Sequence, residues 1–234
     1  MRQKVDERAF NKSINRAWEF IDAAAIGQVI ASPSSLETNP EFRATCLRYD
    51  ASYEEAYLCG MRNNAYNILL EDYSFLQFTR ENSEELRYAY YPNPYLGDNF
   101  SAQDVPLEAD FDDDFDMEGY LQSISEIRNF QRAPVIRYEY VVQQYVEVQH
   151  PCAHFHVGQH SDNRWSVRRI LKPETFALIV LKQFYRNKFN TAKELPSGAR
   201  QVSLKSIYLE AKANLPLVHQ NYFSREDEKE FYWG

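Results

Sequence analysis

Residues 66–91 read YNILLEDYSFLQFTRENSEELRYAYY. Three short apolar or aromatic runs lie within this stretch: Tyr66 to Leu70, Ser74 to Thr79 and Leu86 to Tyr91. Polar turn residues bound each of them, first Glu71-Asp72, then Arg80 to Glu85, then Pro92-Asn93-Pro94. Runs of this length and composition between such turns read as strands. Connections this short join antiparallel neighbours, because a parallel crossover needs roughly a dozen residues or more. An antiparallel sheet is therefore the expected centre of the fold.

The pattern continues on the C-terminal side. Val135 to Val141 and Tyr145 to Val148 are predicted strands, His150-Pro151 interrupts, and Ala153 to Val157 alternates again. A long helix is predicted from Pro173, a residue suited to the first helical position, through ETFALIVLKQFYRNKF to about Phe189. Its middle is apolar on nearly all sides, which places it against the sheet. A further helix is predicted near Ser206 to Ala213, and another near Tyr120 to Phe130.

On the N-terminal side, Phe10, Ile14, Ala17, Trp18, Ile21 and Ala25 form one apolar helical face. Gly27 and Ser32-Pro33-Ser34-Ser35 break that helix. Ser52 and Glu55 have capping-box spacing and open a helix over Tyr53 to Arg62. The fold class expected is α+β, an antiparallel sheet packed against an N-terminal and a long C-terminal helix. With 234 residues, no repeat and no linker, residues 1–234 are expected to form a single domain.

Composition narrows the function classes. Aromatics reach 15 % of the chain, which argues for a packed core rather than disorder. Cys46, Cys59 and Cys152 are odd in number and widely spaced, so a reducing, cytoplasmic setting is expected and a disulfide framework is not. Neither a secretory leader nor an apolar run long enough for a membrane span is read in the chain. The net charge of −8 opposes nucleic-acid binding by phosphate tracking. Residues 104–118 hold eight acids and no Lys or Arg, and they are expected to form a mobile loop able to attract a basic protein partner.

Chemically unusual residues concentrate between Pro134 and Phe189. Four of the five histidines, His150, His154, His156 and His160, fall within eleven residues. On a strand, residues two apart share a face, so His154 and His156 point the same way while Phe155 and Val157 pack behind them. Two such imidazoles can ligate a divalent transition metal, with Asp162 as an oxygen donor; equally, they can be hydrogen-bonded strand residues. Arg137 and Glu139 also lie two apart, either as a charged ladder on a solvent face or as the lining of a pocket beside the histidines. Arg164, Arg168 and Arg169 precede the long helix, an arrangement suited to an anion. Cys152 lies between His150 and His154 in sequence and is a conceivable thiol nucleophile. Phosphate-cradling glycine loops and the nucleophile-elbow motif are missing.

The stretches APVIRYEYV, HPCAHFHVGQ and LKPETFALIVLKQFYRN, in this order, resemble the bacterial domain-of-unknown-function family 2290. The matching positions are Arg137, Glu139, His150, Pro151, His154, Gly158, Arg164, Leu171, Pro173, Phe184 and Tyr185, and upstream YAYYPNPY resembles the family's strand and proline turn. The resemblance implies that Arg137, Glu139, His150, His154 and Arg164 are the site residues, and that His156 and His160 are not family features. It also implies an accessory role in a bacterial system, associated with defence or mobile elements. Two functions are therefore expected in order: a cytosolic, partner-binding accessory protein without a cofactor, and, as the alternative, a hydrolase of a phosphodiester or similar anion centred on His150 and His154 with Arg137 and Arg164. A homo-oligomer is compatible with both.

Overall fold

The computed structural model describes residues 6–95, 134–159, 163–198 and 200–231. The acidic stretch 104–118, the helix expected near 120–130, His160, Asp162 and Tyr232 to Gly234 lie outside these residues.

Seven strands form one antiparallel meander in chain order: β1 (Gly27–Ile30), β2 (Ile68–Leu70), β3 (Phe75–Asn82), β4 (Glu85–Tyr91), β5 (Ile136–Val141), β6 (Ala153–Val157) and β7 (Trp165–Ser166). A two-stranded ribbon, β8 (Leu195–Ser197) with β9 (Arg200–Val202), stands apart from it. The helices are α1 (Glu7–Ala23), α2 (Pro40–Leu47), α3 (Tyr53–Arg62), α4 (Pro173–Phe184), α5 (Arg186–Thr191), α6 (Leu204–Asn214) and α7 (Arg225–Phe231). The class is α+β.

Because the side-chain period of a strand is two, register decides which residues face which layer. Phe78, Tyr88, Tyr138, Phe155 and Trp165 are aligned across β3 to β7. Four of them meet ring to ring, with centroids 5.6 Å apart for Phe78 and Tyr88 and 5.4 Å for both Tyr88–Tyr138 and Tyr138–Phe155. Helices α1 and α4 cover this face, even-numbered in β2 to β5 and odd-numbered in β6 and β7, and called the even-numbered face after the former. Phe10, Ile14, Phe20, Phe176, Leu178 and Leu181 join the core cluster, each worth about 1.5–3 kcal/mol of burial.

Two tyrosine hydroxyls of that face also anchor the entry to α4. Tyr88 donates to the Leu171 carbonyl at 3.1 Å, and the Leu171 N–H donates to the Tyr138 oxygen at 3.0 Å. Pro173 opens α4 as expected, but its first turn is capped from another element: Ser13 Oγ of α1 accepts the Glu174 N–H at 3.1 Å. Burial without its own cap thus ties α4 to α1.

The opposite, odd-numbered face is divided. At one end α2 and α3 cover it with Phe42 and Tyr57 against Phe75 and Tyr91. The approach is close enough that a Cβ on Gly60 would lie 2.8 Å from Phe75 and 2.9 Å from Phe42. Ser52 and Glu55 complete the capping box of α3. At the other end the same face carries the polar residues described below.

Three expectations need correction. The helix from Pro173 stops at Phe184 rather than Phe189: Tyr185 leaves helical geometry (φ −122°, ψ 42°), its hydroxyl held 2.6 Å from Asp72 Oδ2, and α5 starts afresh. Tyr145 to Val148 is not a strand but a looped segment after a 3₁₀ turn, closed by a single bridge between Val146 and His150. Gly27 does not merely end α1; it begins β1. No helix among the described residues is long and apolar enough to cross a membrane.

Candidate functional site

Two rows of polar side chains cross the odd-numbered face. Register aligns Thr79, Arg87, Glu139, His154 and Ser166 in one row, and Gln77, Ala89, Arg137 and His156 in the next. A single strand spacing of two therefore explains why His154 shares a face with His156 and Arg137 with Glu139. The pairing of β5 with β6 puts the two couples side by side. Arg164, two residues before Ser166 on the approach to β7, lies near enough to His150 to act on its charge.

The centre of this patch is Glu139, His154 and His156, whose ligand-capable atoms all lie within 4.8 Å of one another. His154 Nε2 is 3.0 Å from His156 Nε2, and His156 Nε2 is 4.0 Å from Glu139 Oε1. His154 Nδ1 is 2.8 Å from the Pro151 carbonyl oxygen. A carbonyl only accepts, so Nδ1 carries the proton and donates it. Burial, reinforced by His156 and partly opposed by Glu139, lowers the His154 pKa, so its ring is neutral at pH 7. A neutral ring protonated at Nδ1 leaves Nε2 as an acceptor, which takes a hydrogen bond from His156 Nε2 at 3.0 Å. Metal-binding histidines are oriented in this way, with one nitrogen donating to a backbone carbonyl and the other free for the ion.

The distances suit a shared cation. Two nitrogens ~2.1 Å from one ion at a right angle are ~3.0 Å apart, and ligand atoms on opposite sides of it reach ~4.2 Å. Glu139 Oε1, 4.0 Å from His156 Nε2, is the third donor atom of the cluster. Its side chain keeps 19 % of its exposure while that of His156 keeps 8 %, so the carboxylate is the solvent-facing and adjustable member. Two imidazoles and one carboxylate leave open positions on an ion, as hydrolytic metal centres do.

Around this centre, His150 stands edge-on to His154 with ring centroids 5.1 Å apart, and burial followed by Arg164 lowers its pKa. Ser166 Oγ and Arg137 Nε are buried with no hydrogen-bond partner among the described residues. Beside the centre, α2 and the sheet enclose a cavity of about 320 Å³ whose wall includes Arg43, Arg87, Arg137, Glu139, Phe42 and Cys46.

The structure thus brings together Arg137, Glu139, His150, His154, His156 and Arg164. It separates the other two arginines. Arg168 pairs with Glu228 at 2.6 Å, and Arg169 donates to the Leu215 carbonyl at 2.6 Å, so both fasten the C-terminal segment. Cys152 sits in the apolar core, where burial pushes its thiol up to about 12, which is the wrong direction for a nucleophile. Asp162, expected as the oxygen donor, lies outside the described residues, and the carboxylate the fold supplies is Glu139. Sequence reasoning missed Arg87, Ser166 and the α2 wall. Asn39-Pro40-Glu41 was the available signal for α2: Asn39 accepts from the Phe42 N–H at 2.9 Å and Pro40 takes the first helical position.

Neither a curated protein nor a solved structure matches the chain. Residues 30–226 match the family described as Uncharacterized conserved protein (DUF2290), a span that runs from the end of β1 into α7 and contains every site residue named above. The chain belongs to that family.

Proposed function

We propose that the protein is a metal-dependent hydrolase of a phosphodiester or similar anion, centred on Glu139, His154 and His156. The observation that carries this reading is the cluster of Glu139, His154 and His156 donor atoms within 4.8 Å, with the His154 ring turned by the Pro151 carbonyl so that its unprotonated Nε2 faces His156 at 3.0 Å. A divalent ion there would supply charge stabilisation and a water of lowered pKa. The protein's own groups do the rest. Arg137 and Arg164 offset the negative charge that grows on the substrate's non-bridging oxygens. Water oxygen adds to phosphorus, the bond from phosphorus to the leaving oxygen breaks, and the proton given up by water ends on that oxygen. His150 carries it in this reading, supported by its position edge-on to His154.

Hydrolysis of bis(p-nitrophenyl) phosphate by protein supplied with zinc or manganese tests the reading. Turnover that stops with chelator and falls at least 100-fold in His154→Leu/His156→Leu is expected. Turnover absent with either metal, or unchanged in that double variant, overturns it.

An accessory, partner-binding role is supported by a different surface. Leu47 and Tyr49, at the end of α2 and just beyond it, keep 71 % and 92 % of their exposure. The three free cysteines support a reducing, cytoplasmic setting, and the family resemblance a bacterial one. Partner recovery that is unchanged on deleting residues 104–118 would count against an acidic lure.

A further inference from the structure

We propose that the cavity between α2 and the polar sheet face binds a small organic phosphate, of mononucleotide size or below, with Arg137 as its anchor. The inference rests on the hydrolase reading for its purpose but on separate observations for its chemistry. The cavity has room for about 320 Å³, at the low end of small-molecule sites, so a single phosphorylated unit fits and a folded polymer does not. Arg43, Arg87 and Arg137 reach its wall against Glu37 and Glu139. Three arginines thus converge on one wall in a chain of net charge −8.

Arg87 is already committed to Glu85 at 2.6 Å. Arg137 is the unusual member. Its Nε is buried with no hydrogen-bond partner among the described residues, an expensive state for a guanidinium unless a ligand completes it. Guanidinium geometry matches two oxygens of a phosphoryl group. On the far side, Leu36, Phe42 and Leu47 of the α2 segment offer an apolar wall for the organic part. Glu139 links this cavity to the histidines, because it lines the cavity and stands 4.0 Å from His156 Nε2. A phosphoryl group held by Arg137 thus lies next to the candidate metal centre.

Calorimetric titration with adenosine 5′-monophosphate, ribose 5-phosphate, inorganic phosphate and a twelve-residue oligothymidylate, each with chelator and with zinc, tests the proposal. At least one of the two organic phosphates is expected to bind with chelator present, more tightly than inorganic phosphate. Arg137→Gln is expected to weaken that binding tenfold or more, and Arg137→Lys less. Arg43→Gln, on the exposed rim, keeps the test valid if Arg137→Gln fails to fold, and a loss of threefold or more is expected from it. Failure of both organic phosphates to bind, binding unchanged in the variants, or oligothymidylate binding tenfold more tightly than the mononucleotide overturns the proposal. The two readings fail separately: phosphate binding without zinc uptake leaves the cavity and removes the metal centre, and zinc uptake without phosphate binding does the reverse.

Discussion

The even-numbered and odd-numbered faces of the central sheet use the same strands to opposite ends. On the even face Phe78, Tyr88, Tyr138 and Phe155 form a continuous ring-on-ring row under α4, with tyrosine hydroxyls spent on the Arg169 to Leu171 backbone. On the odd face the neighbouring positions are Thr79, Arg87, Glu139 and His154. The first row is complete in itself. The polar face leaves Arg137 Nε and Ser166 Oγ without hydrogen-bond partners among the described residues. Unpaired polar burial works against stability. Apart from Thr175 Oγ1 in α4, such atoms sit on the polar side of β5 and β6 beside the cavity, the arrangement that the proposed ligand site calls for.

The largest effect is expected on the even face. Phe176 is fully buried, and its ring lies 5.8 Å from Tyr88 and 6.2 Å from Phe78. Phe176→Ala should cost about 3–5 kcal/mol in urea unfolding. A loss below about 1 kcal/mol would erase the contrast between the faces.

An intermediate effect is expected at the lock beneath the site. Asp227 accepts from the Tyr145 hydroxyl at 2.7 Å, the Val148 N–H at 2.8 Å and the Ser224 N–H at 2.7 Å. These bonds hold the loop that presents His150, and Val148 sits there at a φ of 62°. Burial raises the Asp227 carboxyl, but the bonds from Tyr145, Val148 and Ser224 outweigh it and leave the pKa lowered. A lowered folded value means the stabilisation is complete above the ordinary carboxylate pKa of about 4 and is lost as pH falls through the folded value. Asp227→Asn should therefore cost about 1–3 kcal/mol at pH 7 and progressively less in acid. A deficit that persists undiminished at pH 2 would sink this assignment.

The smallest effect on stability is expected from the polar face itself. His154→Leu/His156→Leu keeps volume and removes polar burial, so unfolding of the metal-free protein should shift by no more than about 1 kcal/mol. A loss above about 3 kcal/mol would identify the histidines as a structural network instead.

Much of this division was legible in the chain. Short apolar runs joined by polar turns in residues 66–91 pointed to antiparallel strands, and two-residue spacing placed His154 with His156 and Arg137 with Glu139. What joins the pairs is the β5–β6 register, Glu139 opposite His154, and no local pattern encodes it. The break at Tyr185 was hidden for a similar reason. FYRNKF continues a helical pattern, and the hydroxyl partner that ends it, Asp72, is 113 residues away in the chain. β1 carries only four residues, two of them exposed, too few to show a period. Helix α2 carried a local signal in Asn39-Pro40 that went unread, and its place as the cavity wall had none.

Cobalt(II) titration of chelator-stripped protein, followed by visible absorption and calorimetry, tests the central claim most directly. One equivalent should bind, with a d–d spectrum that is absent from His154→Leu/His156→Leu and altered in Glu139→Gln. No saturable uptake by the folded wild-type chain, or an unchanged spectrum in the double variant, would contradict it.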